Sequence, residues 1–196
     1  MRLGLPLLAT LAQLWAGVAH AQDAARGAAL AETRQCAACH GPAGISALPQ
    51  LPSLAGQQAE FMALQLILFR EGLRQVPAMV EPSRGLSDED VENLAAHFAS
   101  LPATHPPDRA APDAALAERG AQLAAARNCN TCHLPSYAGQ RNVPRINRQR
   151  EDFLVHTLTD YRDGRRTGAD PQMNGVMHGL SDADIAALAH HLAQHD

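Results

Sequence analysis

A chain of 196 residues with a formal net charge of −4 and 18% charged residues shows no basic excess of the kind that binds nucleic acid. All 16 positions counted as Lys or Arg are arginine, so a docking ring of lysines is absent. Four cysteines fall into two short motifs rather than into the scattered pattern of a disulfide framework.

Met1-Arg2 opens a short apolar run that continues to Val18 and ends in Ala19-His20-Ala21. A positive start, an apolar centre and an A-x-A site mark residues 1–21 as a secretory signal peptide cleaved after Ala21. Pro6, Thr10 and Gln13 interrupt the run, which argues against an uncleaved membrane anchor. The 175 residues after Ala21 hold no second long apolar stretch and no lipidation cysteine. A soluble protein of the periplasm, with no transmembrane segment in the mature chain, is therefore expected.

The alanine-rich stretch from Ala24 to Gln35 favours helix and leads into Cys36-Ala37-Ala38-Cys39-His40. In C-x-x-C-H, two thiols about one helical turn apart can each add to a vinyl group of one porphyrin, and the adjoining imidazole lies where it can ligate the iron. A dithiol redox pair or a zinc site competes for the same cysteine spacing. The first needs a βαβ setting, which this pattern lacks. The second leaves a histidine unexplained twice over, because the motif recurs as Cys129-Asn130-Thr131-Cys132-His133. Two haem c groups are expected, attached through Cys36, Cys39, Cys129 and Cys132, with His40 and His133 on the irons. Every cysteine is then used.

A second helix is expected from near Gln57, with Met62, Leu66 and Phe69 on one face. A third follows Leu86-Ser87, where serine suits the N-cap, acidic residues suit the positive helix end, and Val91, Leu94, Ala95 and Phe98 form a stripe. Residues 102–114 hold Pro102, Pro106, Pro107 and Pro112 and read as a stiff linker that restricts how its neighbours turn. The order of elements then returns. A helix from Leu116 to Asn128 precedes the second motif, another begins near Gln149 with Leu154, Leu158 and Tyr161, and a last one after Leu180-Ser181 carries Ile185, Leu188, Ala189 and Leu192. The offset is 93 residues from Cys36 to Cys129, 92 from Pro52 to Pro144 and 94 from Gly85 to Gly179, so length changes fall between the elements.

Two domains, 22–101 and 115–196, follow from this repeat. Domains of roughly 80 residues are marginal on burial alone, and the aromatic supply is thin, so a bound macrocycle should form much of each core and the apo-protein should fold poorly. Charge is uneven, with nine acidic and five basic residues in 22–101 against nine of each in 115–196. Arg141, Arg145, Arg148, Arg150, Arg162, Arg165 and Arg166 concentrate positive charge on the second domain, as a solvated face or as a docking patch for a redox partner.

The paired C-x-x-C-H motifs, the prolines and methionines after them and two L-S-D-x-D helix starts resemble a dihaem class I cytochrome c of the cytochrome c4 type, over essentially the whole chain after Ala21. The resemblance implies an all-α fold of two tandem class I cytochrome c domains, each wrapped around one covalently bound haem. It also implies a non-enzymatic electron carrier between a quinol-oxidising complex or dehydrogenase and a terminal oxidase or other acceptor. Cytochrome subunits of flavocytochrome sulfide dehydrogenases are similar, which keeps a haem subunit of a dehydrogenase complex as an alternative. A dihaem enzyme such as a peroxidase or thiosulfate dehydrogenase has less support, since no fifth cysteine is present to serve as a thiolate ligand.

By the same resemblance, the carbonyls of Pro52 and Pro144 accept a hydrogen bond from the proximal imidazoles, orienting them and raising their basicity. The sixth ligand of each iron is then expected to be a methionine from beyond the second helix. Met79 stands seven residues before Leu86, and the same interval before Leu180 selects Met173 over the alternative, Met177, which falls opposite Ser83. Pro77 and Pro171 hold the same register. His97, His105, His156, His178, His190, His191 and His195 are expected mainly as solvated helix or tail residues. Leu134-Pro135-Ser136-Tyr137 departs from Gly41-Pro42-Ala43-Gly44, which leaves the loop after the second motif open in shape.

Overall fold

The computed structural model describes residues 22–166 and 171–196; the expected signal peptide and its cleavage point after Ala21 lie outside the described residues. The described residues form two successive sets of five helices and no strand beyond an isolated bridge between Gln140 and Val143. The first set is α1 (Ala24–Thr33), α2 (Ala37–His40), α3 (Ala59–Arg70), α4 (Pro77–Ser83) and α5 (Asp88–Ser100). The second is α6 (Ala114–Ala126), α7 (Cys129–His133), α8 (Glu151–Arg162), α9 (Gln172–Met177) and α10 (Asp182–Gln194). The fold is all-α, as expected.

Local chemistry sets the helix ends. The Asp23 and Asp113 carboxylates accept from the first free N–H groups of α1 and α6, and Ser87–Asp90 and Ser181–Asp184 close capping boxes at α5 and α10. Gln35 and Asn128 sit at φ 56° and 54°, so α1 and α6 stop at Thr33 and Ala126, short of the expected ends, and the chain turns before each cysteine motif. The motifs themselves form α2 and α7, and the methionine segments form α4 and α9. Such short helices have no readable period in the sequence.

Within each set the first helix packs closely against the last, α1 on α5 and α6 on α10, while α3 lies on α5 and α8 on α10. Glycine permits the first crossing. A Cβ at Gly27 would stand 1.9 Å from the Asn93 carbonyl oxygen, and one at Gly120 would stand 2.2 Å from that of Ala187. Because the obstacle is backbone, Gly120→Ala is expected to lower stability by about 1–3 kcal/mol, overpacking outweighing the roughly 1 kcal/mol gained in helix propensity. Thermal unfolding of the holoprotein tests this, and an unchanged midpoint would mean that the helices separate without cost. Most of the expected stripes are buried, Met62, Val91, Leu94, Ala95 and Phe98 in one core, and Leu154, Leu158, Ile185, Leu188, Ala189 and Leu192 in the other, whereas Leu66, Phe69 and Tyr161 are only half-buried.

The two sets meet through a buried polar interface. Arg145 and Arg150 are only 4% and 6% exposed, and they face the first domain rather than solvent. Arg145 Nη2 donates to the Ala55 carbonyl at 2.9 Å and Arg150 Nη1 to that of Ser46 at 3.2 Å. Arg150 also holds the linker, with two hydrogen bonds to the Asp108 carboxylate at 2.7 and 2.9 Å. Arg162 and Arg165 are taken by Asp160, Asp163 and Asp182. The expected arginine patch is therefore largely spent inside the protein and in local ion pairs, since a guanidinium fork satisfies several acceptors at once.

Candidate functional site

Each C-x-x-C-H helix places its histidine inside the domain. His40 and His133 are 8% and 6% exposed, and their Nδ1 atoms lie 2.9 and 2.8 Å from the carbonyl oxygens of Pro52 and Pro144. A carbonyl only accepts, so Nδ1 carries the hydrogen and donates it, leaving the Nε2 lone pair for a metal. Burial pushes both imidazoles below the ordinary histidine value, and the prolyl hydrogen bond opposes this. The neutral, ligating form is favoured.

The four thiols are free. Cys36 and Cys129 pack against the cores while Cys39 and Cys132 face outward. Burial raises the Cys36 and Cys129 thiols. Among the described residues no three His, Cys, Asp or Glu side chains gather as a metal cluster. The loop after the second motif keeps the backbone of the first in spite of its different residues. Leu134 adopts φ 67° and ψ 161° where Gly41 has φ 82° and ψ 154°, a conformation in which a leucine is strained.

Met79 lies half-buried on α4 and Met173 half-buried on α9. Met177 is 2% exposed within the second core, and Ser83, its counterpart in the repeat, is wholly buried.

The surroundings suit a large apolar ring bearing negative groups. Along α3, Leu64, Leu66, Ile67, Leu68 and Phe69 are only partly covered by protein, although the helix belongs to a core. Arg74 donates to Gln65 Oε1 at 2.7 Å and lies over the Phe69 ring at 4.6 Å rather than on a carboxylate. Burial first, and then the charge of Arg166, push its pKa down to about 9. A haem, with an apolar face and a carboxylate edge, would suit both conditions.

Two features were not legible in the sequence. His190, expected among solvated histidines, is 2% exposed; its Nε2 accepts from the Asp113 N–H at 2.9 Å and its Nδ1 donates to Glu151 at 3.0 Å. It joins the starts of α6 and α8 to α10 and has no nitrogen left for iron. Gln57 and Gln149 align in the repeat, yet their partners belong to the opposite domain. The Gln57 side chain bonds both backbone groups of Arg145, and the Gln149 side chain both backbone groups of Ser53. No one-domain pattern exposes such a pairing.

The cytochrome c family matches residues 24–102 and again 117–196. Cytochrome c4 of Pseudomonas aeruginosa is 35% identical over 184 residues, covering 90% of each chain. A Stutzerimonas stutzeri protein named thiosulfate dehydrogenase electron acceptor is 33% identical over 187 residues, 89% of this chain and 83% of its own. The structure of reduced recombinant cytochrome c4 from Pseudomonas stutzeri matches with a TM-score of 0.81 at 31% identity, over 90% of this chain and 100% of that one. Two tandem domains of this kind bind covalent haem c and transfer electrons without being enzymes. With its duplicated motif, its duplicated histidine–proline bond and similarity over nearly the whole length, the chain belongs to the cytochrome c family as a dihaem member of the cytochrome c4 type.

Proposed function

We propose that this protein is an exported single-electron carrier of the periplasm, with His40 and Met79 on one iron and His133 and Met173 on the other. Cys36, Cys39, Cys129 and Cys132 form the thioether attachments, in domains spanning 22–101 and 115–196. The observation that carries this reading is the repeated hydrogen bond from a buried histidine to a prolyl carbonyl, directly after two free cysteines at C-x-x-C spacing. When bound, haem c supplies reversible one-electron exchange, at a potential that His/Met ligation raises. The chain holds each imidazole oriented by its prolyl carbonyl, and the apolar helix faces would pack on the haems. With His40, Met79, His133 and Met173 as ligands, each iron would be held by two protein side chains, which would keep substrate off it.

The proposed donors are a quinol-oxidising complex or a dehydrogenase, and the proposed acceptor is a terminal oxidase. Similarity to a thiosulfate dehydrogenase electron acceptor favours, among dehydrogenases, one that oxidises an inorganic sulfur compound. The test is to mix oxidised holoprotein with a quinol-oxidising complex, or with thiosulfate dehydrogenase and its substrate, and follow haem reduction and then reoxidation by a terminal oxidase. Rapid reduction by a donor enzyme and none by thiosulfate alone is expected. Turnover of thiosulfate or peroxide without a partner would overturn the carrier reading, and co-elution with a catalytic chain from a native extract would make the protein a subunit. The mature N-terminus, read by mass, is expected to be Gln22.

A further inference from the structure

The domain interface is built on the two peptide groups that orient the proximal histidines. The carbonyl of Pro144, which accepts from His133 Nδ1 at 2.8 Å, and the N–H of Arg145 belong to one peptide unit, and that N–H donates to Gln57 Oε1 at 2.7 Å. The same arrangement runs the other way. The Pro52 carbonyl accepts from His40 Nδ1 at 2.9 Å, and the N–H of the same peptide, on Ser53, donates to Gln149 Oε1 at 2.8 Å. Each carboxamide is pinned at its other end, Gln57 Nε2 donating to the Arg145 carbonyl at 3.0 Å and Gln149 Nε2 to the Ser53 carbonyl at 2.9 Å. Each Oε1 also accepts a local N–H, from Gln58 or from Arg150, which leaves no freedom to flip the amide. Ser53, Gln57, Arg145 and Gln149 are all at most 6% exposed, so water does not compete.

We propose that Gln57 and Gln149 are positioning residues acting across the domain boundary, each setting the basicity of the opposite domain's proximal histidine. The proposal rests on the reading of His40 and His133 as iron ligands. A peptide whose N–H donates to a strong acceptor has a more negative carbonyl oxygen, and hydrogen bonds in such a chain reinforce one another. The more negative prolyl oxygen draws harder on the Nδ1 hydrogen. Nε2 then becomes the stronger donor, which favours the oxidised iron. The two centres are thus tuned by a crossed pair of chains, Gln57 on His133 and Gln149 on His40. A residue that merely glues the domains together would have no reason to act on one centre only.

Gln58 supplies the control, because its Nε2 also crosses the interface, to the carbonyls of Ala138 and Gly139 at 2.9 and 3.3 Å, without touching either prolyl peptide. The experiment compares holoprotein carrying Gln57→Met, Gln149→Met or Gln58→Met. It reads both midpoint potentials by spectroelectrochemistry, with each haem assigned by NMR, and the Nδ1 proton resonances of His40 and His133 in the reduced state. Gln57→Met should raise the potential of the haem on His133 and shift the His133 proton upfield while leaving His40 in place. Gln149→Met should do the converse, and Gln58→Met neither. A shift on the same-domain haem, equal shifts on both, no shift, or the same response from Gln58→Met would overturn the proposal. If Gln57→Met does not accumulate with haem, Gln57→Glu replaces it: a stronger acceptor should lower the potential at His133 more than at His40, and any other order counts against the proposal. Absence of His ligation from wild-type spectra would instead sink the underlying reading, whereas intact ligation without crossed shifts sinks only this inference.

Discussion

Met173→Ala is expected to abolish one of the two far-red methionine-to-iron charge-transfer contributions, lower that haem's potential and open its iron to carbon monoxide. Axial ligation spans roughly 0.8 V across haem proteins, so losing the thioether should move the potential by a sizeable part of that range. The competing residue is four positions along the same short helix. Met177 is 2% exposed, packed in the core that includes Leu180 and Ile185, and the matched position in the first domain is the wholly buried Ser83. Met173 is only half-buried, as is Met79 at the matched position on α4. Met177→Ala should accordingly keep both charge-transfer contributions and cost about 2–5 kcal/mol of stability as a cavity. Reversal of the two phenotypes would show that the register between the repeats is wrong at this point.

Cys129→Ala combined with Cys132→Ala is expected to leave one haem per chain and to unfold the second domain. A single core of this size supplies about 3–5 kcal/mol, too little to survive losing the ring that completes it. The first domain should suffer as well, because Gln149, Arg145 and Arg150 reach Ser53, Ala55 and Ser46 from the second. Its own unfolding midpoint should fall even though its haem is untouched. Haem content by alkaline pyridine spectra, together with helicity by circular dichroism, measures both effects. Native helicity in the one-haem variant would refute the dependence on the ring.

Some errors of expectation came from judging side chains by type alone. Arg145 and Arg148 read as part of a positive patch, solvated or docking, but Arg145 is buried with its pKa pushed down to about 10 by desolvation, and Arg148 donates to the Ala103 carbonyl of the linker. His190 read as solvated and is a buried brace between helices. In both cases the residue's role depends on partners at least 39 positions away in the chain, Ala55 for Arg145, Ala103 for Arg148, and Asp113 and Glu151 for His190. Local composition carries no trace of such a partner.

The sequence by itself determined whatever is short in range or strictly periodic. The C-x-x-C-H motifs named the cofactor, the repeat announced two domains, serine and acidic residues marked the starts of α5 and α10, and stripes at helical spacing identified most of both cores. Only the tertiary structure decided that the linker is anchored, that two buried arginines hold the domains together, and that Gln57 and Gln149 cross to each other's prolyl peptides. The physical reason lies in where the partners sit. A helix cap or a stripe is satisfied within a few residues, whereas a buried backbone N–H at Arg145 or Ser53 takes whatever acceptor the folded chain brings to it.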